Sequence, residues 1–138
     1  KMNHFKDLAD RYNKELILIS KKPQFTYIDD KEIFDYFTIS LDKILTVKDK
    51  KKIDSEYYNQ QKKELDEVNI KLNEVALRLN IKTLNQIDYI CEFKDEECEG
   101  ITKDGYRIYF DKDHYTLEGA KYFGKKIFDT GWFNLNQK

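Results

Sequence analysis

The sequence predicts an α/β fold, and three observations carry that prediction. Leu16 to Ile19 is a continuous apolar run of strand length, rich in β-branched side chains, as a buried parallel strand requires. Phe5, Leu8, Ala9 and Tyr12 recur at helical spacing just before it, so a helix runs into the strand. Leu65, Val68, Leu72, Val75, Ala76 and Leu79 form a second helical stripe, and a last strand is expected within Ile81 to Ile90.

Taken in order, the first helix carries His4, which reads as ordinary surface. Ser20 closes the first strand; Ser20-Lys-Lys-Pro23 lacks the small residues that let a strand-to-helix turn expose a nucleophilic hydroxyl, so it reads as structural. Residues 31–47 carry Ile33, Phe34, Phe37, Leu41, Ile44 and Leu45, the pattern of a helix over the sheet. Lys48-Asp-Lys-Lys-Lys52 reads as a solvated connection. The stripe ending at Leu79 belongs to a helix starting near Asp54-Ser55 and faces the core. Gly100 to Gly105 reads as a loop or hairpin that brings Tyr106 to Phe110 toward the following loop. Thr116 is placed to cap a final helix holding Leu117, Ala120, Phe123, Ile127 and Phe128, with Trp132 and Phe133 packing beyond it.

Composition bounds the function. The 138 residues suffice for one domain with a core, and 40% hydrophobic content with ten tyrosines and nine phenylalanines argues against disorder despite 37% charged residues. A net charge of −1 provides no basic field for nucleic acid or an anionic membrane, so no nucleic-acid partner is expected. Lysine far outnumbers arginine, which points to a solvated surface and not to phosphate recognition. No apolar run approaches the ~18 residues of a membrane span, and no signal-peptide pattern is present. Cys91 and Cys98 enclose six residues of a polar loop, a spacing open both to a hairpin-like disulfide and to two free thiols. The sequence offers too few further ligands for a zinc site, so no metal is expected.

The chemistry concentrates at Asp111-Lys112-Asp113-His114. Histidine accepts and returns a proton near neutrality, and a carboxylate beside it fixes its tautomer; such a pair usually serves to activate a hydroxyl or thiol. A solvated turn has the same composition, so the four residues alone leave both readings open.

Their surroundings carry a resemblance. Tyr109, Asp111, Asp113, His114, Thr116, Gly119 and Ala120 match in order and spacing the last block of the SGNH hydrolase superfamily, in the version Y-x-D-x-D-H-L-S-x-x-G-A that closes the extracytoplasmic domain of acyltransferase-3 proteins. Leu16 to Ser20 with Pro23, the pattern N-x-x-L-x-x-x-A from Asn69, the approach Ile87-Asp88-x-x-Cys91, Cys98, and Asp104-Gly105 to Tyr109 also resemble that family, with residues 24–60 the least recognisable. The implied fold is a partial SGNH (flavodoxin-like) three-layer domain with a parallel sheet and flanking helices, residues 1–138 being a single domain or its C-terminal portion. The family's Gly-Asp-Ser block and its later oxyanion glycine and asparagine blocks are not found: all five glycines lie at or after Gly100, and the serines are Ser20, Ser40 and Ser55.

The resemblance implies His114 as general base and Asp111 as its orienting acid. Asp113 is the competing carboxylate, and Tyr109 and Thr116 support the loop. It also favours a Cys91–Cys98 disulfide in an oxidising compartment. The implied reaction is O-acyl transfer, of acetyl above all, to a cell-surface glycan such as lipopolysaccharide through a serine ester. The acyl donor would come from a membrane acyltransferase domain on the extracytoplasmic, periplasmic face of the inner membrane, with no cofactor. Residues 1–138 alone are then expected to be inactive. A free-standing SGNH esterase of carbohydrate or lipid and an inactive remnant or binding module are the alternatives.

Overall fold

A computed structural model of the chain describes residues 1–38, 45–63 and 67–133. The described elements run α1 (Met2–Arg11), β1 (Ile17–Ile19), β2 (Tyr27–Ile28), β3 (Lys31–Glu32), α2 (Ile33–Thr38), α3 (Val47–Lys63), α4 (Glu67–Leu79), β4 (Lys82–Leu84), α5 (Ile87–Ile90), β5 (Cys91–Glu92), β6 (Glu97–Cys98) and α6 (Leu117–Thr130). They divide into two compact units, α1, β1, α4 and β4 in one and the remaining elements in the other.

The first unit is α/β by construction. β1 and β4 pair in parallel, with Ile17 opposite Lys82 and Ile19 opposite Leu84. Each strand is fed by a helix that ends in the same way. Asn13 (φ 51°) follows α1 and Asn80 (φ 50°) follows α4, both in the left-handed conformation that asparagine tolerates. The next amide then reaches back five residues, Lys14 N–H to the Ala9 carbonyl and Ile81 N–H to the Ala76 carbonyl, each at 2.8 Å. This closes the helix end and turns the chain into the strand. Past β1, the Ser20 hydroxyl donates to Asn85 Oδ1 (2.9 Å) and accepts from the Gln86 N–H (2.8 Å), so its hydrogen-bonding capacity is engaged locally.

The second unit holds the core. Phe25, Ile28, Ile33, Phe37, Ile53, Tyr57, Tyr89, Ile90, Ile101, Ile108, Tyr109 and Phe123 are buried in one cluster, joined by Cys91 and Cys98. Phe25 stacks on Tyr57 at 4.3 Å between ring centroids and meets Tyr109 edge-on at 5.0 Å. Cys91 and Cys98 face one another across the β5–β6 hairpin and form a disulfide. Gly100 follows it, and no side chain would fit there: a Cβ would lie 2.7 Å from both Ile53 and the Tyr57 ring. Its N–H donates to the buried Asp54 carboxylate of α3 (2.8 Å), whose other oxygen pairs with Lys50. Burial pushes the Asp54 pKa up, against the opposing pull of Lys50 and the Gly100 amide.

Several expectations change. The helix expected over residues 31–47 is the shorter α2; Lys31 and Glu32 belong to a hairpin, Val47 opens α3, and Leu41 and Ile44 lie outside the described residues. Lys48 to Lys52 is helical, because Ile53, Asp54 and Tyr57 are buried on one face of α3, where Lys50 pairs with Asp54, while Lys48, Lys51 and Lys52 are exposed. The helix expected to start near Asp54 starts earlier, at Val47; on either side of residues outside the description, Leu65 among them, its span is helical as α3 and α4. On α4 only Ala76 is buried and Val68 is exposed, so the stripe is less inward-facing than its periodicity predicts. Leu16 to Ile19 is parallel but half-buried, with Ile19 exposed. Leu117 and Phe128 of α6 face solvent, leaving Phe123 as the buried member of that group.

Candidate active site

Residues 107–116 form a tight return that presents the acid and the imidazole. Tyr109 and Tyr115 make an isolated antiparallel bridge, and the Phe110 N–H donates to the His114 carbonyl (2.8 Å), closing the loop at its base. Tyr109 is the anchor: it is fully buried, with Phe25, Tyr57 and Tyr115 rings 5.0 to 5.6 Å away. Burial drives its phenol pKa far above the usual value, so it stays neutral.

Thr116 fixes the other end. Its hydroxyl donates to the Arg107 carbonyl (2.7 Å) and accepts from the Gly119 N–H (3.0 Å), capping α6 while holding it to the strand-like segment. Gly119 makes that approach possible, because a Cβ there would sit 2.1 Å from the Ile108 carbonyl oxygen. Gly131 (φ 62°) closes the helix in the left-handed conformation.

Within the return, Asp111 Oδ1 accepts the N–H groups of Asp113 and His114, both at 2.8 Å, and this local turn fixes the carboxylate. His114 Nδ1 lies 2.9 Å from each Asp111 oxygen. Partial desolvation pulls the Asp111 pKa upward, but the two amides and the imidazole outweigh it and the net shift is below the ordinary value. An ionised carboxylate only accepts, so Nδ1 carries the proton and Nε2 is the basic nitrogen. The His114 side chain is 74% exposed, leaving that nitrogen open to a reacting partner.

Asp113 is engaged elsewhere, accepting from the Gln24 side-chain amide. The structure therefore brings Asp111 and His114 together and gives Asp113 a different neighbour. Gln24 carries no signal in the sequence, since it lies 89 residues from its partner. Gly119 does carry one, as the small residue three positions after a capping threonine.

A groove of about 310 Å³ opens beside the return, walled by Asp111, Lys112 and Asp113 on one side and Tyr27, Glu32 and Phe34 on the other. Among the described residues no group of three or more His, Cys, Asp or Glu side chains is arranged to hold a metal ion. No helix among them is long and apolar enough to cross a membrane.

The family model for the SGNH domain (fused to AT3 domains), AT3 being acyltransferase-3, matches residues 3–128, including the Asp111–His114 return and the stretch 24–60 that the resemblance left bare. No curated protein and no solved structure matches the chain significantly. With the match covering nearly all of its length, the chain belongs to the SGNH domains fused to acyltransferase-3 domains, a family of acyl-transfer or esterase-like function.

Proposed function

We propose that the protein transfers an acyl group, an acetyl in the first instance, to a hydroxyl of a cell-surface glycan through a serine ester, with His114 as general base and acid and Asp111 as its orienting carboxylate. The observation that supports this reading is the contact of His114 Nδ1 with both Asp111 oxygens at 2.9 Å, on an imidazole that is otherwise open to solvent. The reading treats residues 1–138 as a single domain or the C-terminal portion of one. The serine belongs to a Gly-Asp-Ser block that these residues do not contain, and Ser20 is engaged with Asn85 and Gln86.

The steps follow from proton accounting. His114 Nε2 takes the serine proton as the hydroxyl oxygen attacks the acyl carbonyl, and the imidazolium returns that proton to the departing donor group. The acceptor sugar hydroxyl then gives its proton to Nε2 and attacks the serine ester, and the serine leaves with the proton restored. Asp111 offsets the positive charge on the ring in both halves. The acceptor glycan, the extracytoplasmic location and delivery of the donor by the acyltransferase-3 domain belong to the same proposal and draw on the family's fusion pattern.

The test is made on the full-length protein in its native cells. Replacing the gene with a His114→Ala version is expected to remove ester-linked acetate from the surface glycan while the protein accumulates normally. Unchanged glycan acetate contradicts the proposal, and free acetate released to water by the purified wild-type protein in place of acetylated sugar turns it toward ester hydrolysis.

A further inference from the structure

The groove beside Asp111 is built from a second piece of chain that the catalytic pair does not use. Asp29 (φ 51°) and Asp30 (φ 58°) form a two-residue turn with both residues in the left-handed conformation, the geometry that matches a tight β-hairpin. That turn sets Tyr27 opposite Glu32, so the two side chains leave the same face of the ribbon, while Ile28 between them points the other way and is fully buried. Helix α3 locks the hairpin. Gln60 accepts from the Thr26 N–H (2.7 Å) and donates to the Tyr27 carbonyl (2.6 Å), Glu56 accepts from the Asp29 N–H (2.9 Å), and Lys52 pairs with the Asp29 carboxylate. An exposed ribbon held at this many points is a rigid display.

The displayed side chains have a consistent chemistry. Tyr27 is 49% exposed and Phe34 43%, and the Phe34 ring is braced edge-on by Phe110 at 5.4 Å, directly before Asp111. Aromatic faces beside carboxylates are what a sugar ring requires: its C–H face packs on the ring and its hydroxyls donate to the carboxylates. Among the described residues the Glu32 carboxylate has no partner of its own and is available to accept. The charge balance then selects among sugars. The groove lining carries three carboxylates, Glu32, Asp111 and Asp113, and one ammonium group, Lys112, a balance that disfavours a carboxylate and favours an ammonium group. At about 310 Å³ the space is at the small end of the ~300–1,000 Å³ of ligand sites, a fit for one sugar residue.

We propose that this groove is the acceptor subsite, selecting a neutral or amino sugar over an acidic one, with Tyr27 as the packing surface and Glu32 as a hydroxyl acceptor. It rests on the acyl-transfer reading, and its test is kept separate by measuring binding without turnover. Full-length protein carrying His114→Ala is titrated with the methyl glycosides of glucose, glucosamine and glucuronic acid, followed by saturation-transfer NMR. The glucoside and glucosaminide are expected to bind, and the glucuronide at least about fivefold more weakly at low salt, with the gap closing as salt is added. Tyr27→Ala and Glu32→Gln in the same background are each expected to weaken the glucosaminide about fivefold or more. No binding, equal binding of all three glycosides, or binding unmoved by both substitutions overturns the proposal. The expected binding pattern together with wild-type aryl-acetate turnover by the His114→Ala protein keeps the sugar site and removes the catalytic reading.

Discussion

Among the described residues, the buried apolar side chains in the unit of α1, β1, α4 and β4 are Ala76 and Ile81, whereas in the other unit fourteen buried side chains form one cluster, closed by a disulfide. Phe5, Leu8, Tyr12 and Ile19 of the first unit are exposed, and so is Leu77 at 83%. Its order comes from the β1–β4 pairing, two asparagine helix ends and the Ser20–Gln86 bonds. Two strands and two helices bury too little to match the conformational entropy they give up. The unit that carries Asp111 and His114 has the opposite make-up, and this is the arrangement a catalytic group needs, because a loop holds its geometry only as well as the packing beneath it.

This contrast can be broken at its strongest point by Phe25→Ala. The substitution removes the ring that stacks on Tyr57 and meets Tyr109, and a loss of about 3–5 kcal/mol in urea unfolding is expected. A loss under about 1 kcal/mol would mean that the aromatic cluster does not organise the unit. Replacing both Cys91 and Cys98 with serine opens a loop of sequence separation 7 and is expected to cost about 2–3 kcal/mol, read by the same melt with and without reductant.

The next effect is kinetic. Asp111→Asn in the full-length protein is expected to lower aryl-acetate turnover about ten- to a hundredfold, roughly 1.4–2.7 kcal/mol, and Asp113→Asn is expected to lower it less. The reverse order would make Asp113 the orienting group despite its bond to Gln24. The Asp111 pKa is lower in the folded state than its ordinary 3.8, so the stabilisation it brings is present above that value and is lost as pH falls through the folded pKa. Wild type and Asp111→Asn should therefore converge in stability on acidification. At the bottom of the scale, Leu77→Ala on the sparsely buried unit is expected to shift stability by less than about 0.5 kcal/mol. A cost above about 1 kcal/mol would show that its exposed face is covered in solution.

The same contrast explains what the sequence could disclose. Leu16 to Ile19 was legible as a strand because a four-residue apolar run behind a helical stripe has few other uses, and the strand after Asn80 was legible from its place behind a second stripe. Thr116 was legible as a cap because α6 begins with a helical apolar pattern. The Tyr27–Glu32 hairpin was not legible. Its turn is Asp29-Asp30 with no glycine, and its strands are two residues long, too short for alternation to register. The helical state of Lys48 to Lys52 was hidden because the residues that bury that helix, Ile53 and Tyr57, come after the charges. At the site, Asp111 and His114 are three residues apart and local spacing was enough, whereas Gln24, Tyr27 and Glu32 reach the same place only through tertiary packing.

The central claim is that His114, oriented by Asp111, moves the proton in acyl transfer. It is tested most directly by aryl-acetate turnover of the full-length protein with His114→Ala, with the fold checked by an unchanged melting curve. A loss of about a thousandfold is expected. Turnover within about twofold of wild type would contradict it.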